Sequence, residues 1–255
     1  VALRLAEESD LVPYAPGFPP GRRWLVIAPH PDDETLGLGA TLALAADAGV
    51  EVRVAIVSDG ARQGETARRE AEAAAAAAEL GVPPPEFWRF RDRGLAAAIG
   101  RLRRAIAAAI AGWAADTLLV TSPVELHPDH RALALAAQRA LRRRTLLGAA
   151  PRRAPRWVAA YEVSAPLLPN LLVAADAGWA RKRRAVQHYA SQLAARPYDD
   201  VMEAMGAFRC LTLSGCRRAE GFHVLPAVSV ARRSARSWAA LMGSPAGVTR
   251  PPLAR

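Results

Sequence analysis

The sequence predicts an α/β fold: a Rossmann-like, mostly parallel sheet flanked by helices, in a single domain with an irregular C-terminal part. Three observations predict it. Short apolar runs alternate with long alanine-rich stretches, several of which end at glycine. The runs are almost continuously apolar, as strands buried on both faces are. Histidines and carboxylates cluster just past the ends of those runs, where open parallel sheets bind ligands.

Residues 1–23 carry Pro13, Pro16, Pro19 and Pro20 with Gly17 and Gly21, which disfavours helix interiors and central strands and reads as a lead-in arm. The domain proper is expected over residues 24–228. Trp24 to Ala28 is the first strand, a His-Pro-Asp-Asp-Glu turn follows, and a helix runs from Thr35 to about Ala48, ended by Gly49. Val52 to Val57 is the second strand, closed by the turn residues Ser58-Asp59-Gly60. A polar loop through Gly64 leads into a helix from Glu65 to Leu80, ended by Gly81. Pro83 to Pro85 enforce extended backbone before a short strand around Phe87 to Phe90. A helix from Leu95 to Ala114, a strand from Thr117 to Thr121 and a helix from His-Pro-Asp-His to about Arg144 complete the regular part. Beyond Arg144 the pattern weakens. Pro151 and Pro155 mark a loop, Trp157 to Tyr161 fits a strand, Trp179 to Leu193 a basic helix, and Leu211 to Leu213 and His223 to Leu225 strand-like pieces. Residues 229–255 form a tail whose Ser, Gly, Pro and Arg content disfavours order.

A chain of 255 residues with 51% hydrophobic residues can bury a sizeable core, so wholesale disorder is excluded. Its 34 Lys+Arg against 24 Asp+Glu give +10, a balance that would suit nucleic acid, an anionic membrane surface or an acidic substrate. The surplus is nearly all arginine and rises together with alanine, which reads as solvated helix faces. Aromatics, at 6%, are too few to stack single strands, and no nucleic acid is expected as a partner. Cys210 and Cys216 make no disulfide framework and read as free thiols. Glu7, Glu8 and Asp10 stand where a secretory signal would be basic and then apolar, and no run approaches the roughly 20 residues of a transmembrane helix. The expectation is a cytoplasmic protein.

His30-Pro31-Asp32-Asp33-Glu34 places an imidazole and three carboxylates at the exit of the first strand, and His127-Pro128-Asp129-His130 repeats that layout after Thr121. Zinc takes His nitrogen and carboxylate oxygen and, in catalytic sites, leaves a position for water. Adjacent residues at a strand end point apart, so one of Asp32 and Asp33 can bind metal while the other faces the water. His127 and His130 are three apart in a first helical turn, so one can ligate and the other meet the substrate. Two histidines and a carboxylate could also hold iron(II), although a neighbouring carboxylate base favours hydrolysis.

Pro29-His30-Pro31-Asp32-Asp33-Glu34 together with His127-Pro128-Asp129-His130 resembles the PIG-L/LmbE family of zinc-dependent N-acetylglucosamine deacetylases. Asp59-Gly60, Arg69-x-x-Glu72, Tyr189-x-Ser191-Gln192 and Ala219-Glu220-Gly221-Phe222 agree in order, so the resemblance covers residues 24 to about 225. It implies His30, Asp33 and His130 as zinc ligands, Asp32 as general base on the bound water, and His127 as acid or oxyanion stabiliser. Asp129 is expected to orient an imidazole from behind, and Glu34 to support the helix start. The implied partner is an N-acylated amino sugar, which loses acetate. Some members carry an oxyanion-holding tyrosine two residues before the second motif; here that position is Glu125, which cannot donate unless protonated.

Ser58, Asp59, Arg69 and Glu125 are the candidate substrate contacts, with Arg69 equally suited to an ion pair with Glu72. Gly37-Leu38-Gly39 lacks the third glycine of a dinucleotide fingerprint and reads as close packing. His188 and His223 read as packed or surface histidines, and Arg181-Lys182-Arg183-Arg184 as a solvated helix face rather than a phosphate site. Two further functions compete: cleavage of a larger acyl group from an amino-sugar conjugate, and non-catalytic binding of nucleic acid or an anionic surface.

Overall fold

The computed structural model describes residues 15–60, 65–146 and 154–243. Its strands are β1 (Ala15–Pro16), β2 (Arg23–Ala28), β3 (Glu51–Ser58), β4 (Glu86–Phe90), β5 (Thr117–Thr121), β6 (Trp157–Tyr161), β7 (Leu171–Ala174) and β8 (Ala219–Pro226). Its helices are α1 (Asp33–Asp47), α2 (Thr66–Leu80), α3 (Ile99–Trp113), α4 (Pro128–Leu146), α5 (Asp176–Gln187), α6 (Ala190–Leu193), α7 (Tyr198–Phe208), α8 (Ala227–Arg232) and α9 (Ala235–Gly243). The strands form one eight-stranded sheet in the order β1-β7-β8-β6-β5-β2-β3-β4. From β4 through β6 all neighbours are parallel, while β8 runs antiparallel to both β6 and β7. The predicted fold class is the observed one.

The topology explains the placement of chemistry. From β2 the chain winds outward through β3 and β4, then returns to β5 on the other side of β2 and winds the opposite way. The crevice where the winding reverses therefore opens at the carboxyl ends of β2 and β5. The two histidine motifs leave the sheet at those ends.

The near-continuous apolarity of β2 is resolved by its period of two. Leu25 and Ile27 pack on one face with Ile106, Ile110 and Leu133 of α3 and α4. Trp24, Val26 and Ala28 pack on the other with Leu42, Ala73 and Leu80 of α1 and α2. Each fully buried Leu or Ile is worth about 1.5–3 kcal/mol. The alanine-rich helices approach closely: a Cβ on Gly178 of α5 would stand 2.5 Å from the Ala40 carbonyl of α1.

α1 is broken at Leu38 (φ −141°, ψ 22°). The freed amides of Ala40 and Thr41 donate to the Glu220 carboxylate of β8, at 3.0 and 2.7 Å, and Lys182 of α5 closes the group with Nζ 2.6 Å from Glu220 Oε1. Lys182 and Glu220 are both buried. The run Arg181 to Arg184 is thus not a uniformly solvated face, because the lysine turns into the protein while Arg183 and Arg184 pair with Glu203 and Glu79 at the surface. Gly37 and Gly39 are close-packed, a Cβ on Gly37 reaching 2.6 Å from the Tyr161 ring.

Several elements differ from the sequence reading. The helix expected from Leu95 begins at Ile99, because the Leu95 amide donates to Asp129 Oδ1 at 3.2 Å and holds the preceding turn. The helix expected over Trp179 to Leu193 starts at Asp176 and breaks at Tyr189 (φ −83°, ψ 50°), whose ring is drawn into the core. Leu211 to Leu213 is not a strand but a turn segment with Leu211 exposed, beside the free thiols of Cys210 and Cys216, whose Sγ atoms stand 2.9 Å apart. β7 and α7 were not foreseen. Residues set apart as a tail include α9 and most of α8, with Val230, Trp238 and Met242 buried. The first part of the arm, the loop through Gly64, the loop at Pro151 and residues 244–255 lie outside the described residues. Among the described residues, no helix is long and apolar enough to cross a membrane.

Candidate active site

At the reversal crevice lies a pocket of about 450 Å³ lined by His30, Asp32, Asp33, Arg69, His127 and His130, with Asp92, Arg93, Gln192 and Tyr198 at its sides. The turn after β2 presents Asp32 in the left-handed region (φ 135°), a conformation that costs a non-glycine residue energy and is held here by its surroundings. Arg69 of α2 does the holding. Its Nη1 donates to the Gly60 carbonyl at 2.8 Å, and its Nη2 to the Pro31 carbonyl at 2.6 Å and to Asp32 Oδ2 at 3.3 Å. Glu72 pairs with Arg68 instead, at 3.2 Å.

The expected ligands converge on one oxygen. Asp33 Oδ2 stands 3.0 Å from His30 Nδ1 and 3.2 Å from His130 Nε2. Ligands bound tetrahedrally at about 2.0–2.1 Å stand roughly 3.3 Å from one another, and the two distances to Asp33 are of that order. Among the described residues, the groups whose ligand-type atoms all lie within 4.8 Å of one another are His30 with His127 and His130, and His30 with Asp92 and Asp129; the set with Asp33 is not one of them. Buried His30 Nε2, His130 Nδ1 and Asp129 Oδ2 have no hydrogen-bond partner among the described residues, although His30 Nε2 lies 3.3 Å from Asp92 and 3.5 Å from Asp129, and His130 Nδ1 3.3 Å from Glu125. These contacts have ion-pair distance without hydrogen-bond alignment.

The electrostatics agree with that donor set. Asp32, Asp33, Glu34, Glu125 and Asp129 are all buried here, against the buried guanidinium of Arg69 and the exposed one of Arg93 at the pocket's side. Burial opposes charge on His30, yet the carboxylates of Asp129, Asp33 and Asp92 outweigh it and hold the imidazole well above its usual range. His130 is likewise pushed up to about 9, burial being overcome chiefly by Asp33. Asp33 is held well below the usual carboxylate range because His130 and His30 outweigh its burial. Burial and then Asp33 push Asp32 up, despite Arg69. So concentrated a set of buried carboxylates and imidazoles fits a divalent cation.

Of the remaining predicted residues, His127 lines the pocket and the others stand behind it. His127 is half-buried, its Nδ1 accepting the Asp129 amide at 3.2 Å, and burial with the nearby His30 and His130 lowers its pKa. Glu34 accepts the Asp32 amide at 3.3 Å, the Thr35 hydroxyl at 2.7 Å and the Tyr189 hydroxyl, bracing the start of α1. Glu125, expected as a substrate contact, does not line the pocket: it is buried, accepts the amides of Val163 and Ser164 at 2.7 and 3.0 Å, and backs His130. Its carboxylate faces inward, so this position offers no group to an oxyanion in the pocket. Ser58, also expected at the substrate, is buried with its hydroxyl unpartnered among the described residues and does not line the pocket. Asp59 accepts the Asp92 amide at 3.1 Å and so fixes the loop that brings Asp92 to His30, rather than lining the pocket itself. Asp92 was missed. It follows β4, and the strand-end rule that found the histidines would have found it.

Comparison with known proteins was made on this basis. A family model described as PIG-L, GlcNAc-PI de-N-acetylase, matches residues 25–141, which contain both motifs. No curated protein matches in a sequence search. Among solved structures, a conserved protein, TT1542, from Thermus thermophilus is 30% identical over 80% of this chain and 94% of its own, with TM-score 0.68. N,N'-diacetylchitobiose deacetylase from Pyrococcus horikoshii is 24% identical over 81% and 85%, also at 0.68. A 4-carboxy-2-hydroxymuconate hydratase, GalB, from Pseudomonas putida KT2440 is 23% identical over 80% and 96%, at 0.66, so the fold also serves other chemistry. With the matched model spanning both histidine motifs, the chain belongs to the PIG-L family.

Proposed function

We propose that the protein is a metal-dependent deacetylase that removes the N-acetyl group from an N-acetylglucosamine-type unit. One observation carries the reading: a buried carboxylate, Asp32, stands in the same pocket as a His-Asp-His cluster suited to a small cation. His30, Asp33 and His130 would hold zinc, or iron(II) in its place, with Asp92 and Asp129 close enough to join or steer them. The metal when bound supplies Lewis acidity and a water that ionises near neutral pH.

The chain's own groups supply the rest. Asp32, whose proton affinity is raised by burial and by Asp33, takes the proton from the attacking water. Arg69 keeps its carboxylate aimed, because three of its contacts fix the turn. Since His127 Nδ1 accepts a backbone amide, the neutral ring carries its proton on Nε2. That N–H can donate a hydrogen bond to the developing oxyanion, while the proton that Asp32 has taken from the water passes to the leaving nitrogen as the C–N bond breaks. Glu125 and Asp129 hold the imidazoles from behind.

Acetate release from a panel of N-acetylglucosaminides by metal-replete protein tests the reading. We expect turnover on at least one member and a loss of about 10²- to 10⁴-fold in Asp32→Asn. A metal-replete protein inert on the whole panel would sink it.

A further inference from the structure

Beside the catalytic pocket lies a second one of about 220 Å³, and Leu36, Val163, Ser164 and Tyr198 line both. Its other walls are Trp179 of α5 and Val201, Met202 and Met205 of α7. Gly206 leaves room for the Trp179 ring, since a Cβ there would come within 2.3 Å of it.

Apart from Tyr198, the polar side chains of this wall are engaged within the protein. Lys182 pairs with Glu220 at 2.6 Å, Glu162 takes Arg209 Nε at 2.7 Å, Ser164 Oγ donates to Glu125 at 2.6 Å and Trp179 Nε1 to Glu203 at 2.9 Å. What faces the space is apolar and polarisable, the character of a pocket that binds hydrocarbon. Two of the large apolar side chains left in solvent, Leu126 at 70% and Val201 at 44%, stand on the catalytic and the apolar pocket respectively.

We infer that this pocket is a subsite for an apolar chain carried by the substrate, so that the physiological substrate is amphipathic. The inference rests on the acylated amino-sugar reading and narrows its substrate class. A 150 Å³ apolar cavity holds benzene, so this volume takes a chain of about six to eight carbons. The chain can belong to the aglycone or to the acyl group, since both begin at the sugar.

The test is calorimetry on full-length Asp32→Asn, which separates binding from turnover. Three ligands are titrated below any micelle concentration: methyl N-acetylglucosaminide, octyl N-acetylglucosaminide and methyl N-octanoylglucosaminide. One of the two octyl ligands should bind about tenfold to a hundredfold tighter than the methyl acetyl compound, and which one does so identifies the end that bears the chain. Adding Val201→Asp or Val201→Thr should remove or reduce the gain, the threonine less than the aspartate. No gain for either octyl ligand, or a gain untouched by Val201→Asp, overturns the proposal. Acetate release by the wild type is scored apart, so an apolar subsite in a protein that deacetylates nothing, or the reverse, is recognised as such.

Discussion

Removing the Glu220 carboxylate while keeping its shape, as in Glu220→Gln, should be among the most destabilising single changes in the molecule. The carboxylate receives two amides freed by the break in α1 and the ammonium of Lys182, which is 2% exposed. An amide has one oxygen to offer three donors, and its NH₂ must face one of them. Leaving a buried charge without its partner costs about 3–5 kcal/mol, and an orphaned helix amide about 1–3 kcal/mol more. Against a typical domain stability of about 5–15 kcal/mol, the protein should remain folded only marginally. Urea unfolding followed by circular dichroism measures this, with Lys182→Met and the double variant beside it. The double variant should recover a good part of the loss, because no charge is then left unpaired. A loss below about 1 kcal/mol for Glu220→Gln, or strict additivity in the double variant, would refute the reasoning. The consequence reaches the site, since α1 begins at Asp33.

Three further outcomes follow from single groups. Tyr189→Phe removes a buried hydroxyl donated to the Glu34 carboxylate and should lower stability by about 1.5–3 kcal/mol in urea unfolding; an unchanged midpoint would remove Tyr189 from the bracing of α1. Glu203 is held down at about 2, first by Arg183 and then, against its burial, by Trp179 and Arg218. A depressed carboxylate stabilises the fold above its unfolded pKa near 4.5 and loses that contribution as pH falls toward 2. The stability gap between wild type and Glu203→Gln should therefore be full at pH 7 and shrink through pH 4 to 3, and a constant gap would contradict it. Burial, then Cys216, pushes the Cys210 thiol up to about 12. Brief alkylation at pH 8 with peptide mass spectrometry should find Cys210 far less modified in native than in unfolded protein; equal labelling would refute this.

How much was legible in the sequence depended on range. β2, β3 and β5 are apolar runs with chemistry at their ends, and His30, Asp32, Asp33, Arg69, His127 and His130 share one pocket because sheet topology carries those ends together. β7 was hidden because its four residues follow a stretch containing Pro166 and Pro169, and pair only with remote β8 and β1. α9 was hidden by arginine and serine around Trp238, whose burial is decided by the core beneath it. Glu125 shows the limit most clearly. Whether a carboxylate in a turn faces the pocket or the interior is set by Val163 and Ser164, which reach it from beyond β6. Lys182 is similar: a charge run suggests a solvated face, and one member turns inward because Glu220 waits there.

The central claim, a cation held by His30, Asp33 and His130 with Asp32 working beside it, is tested most directly by one paired measurement. Wild type, Asp32→Asn and His130→Ala are purified metal-free, reloaded with zinc, and assayed for bound metal and for acetate release from an N-acetylglucosaminide that the wild type cleaves. The account predicts that Asp32→Asn keeps its zinc and loses turnover, and that His130→Ala loses both. Zinc content in His130→Ala equal to that of the wild type, or wild-type turnover in Asp32→Asn, would contradict it.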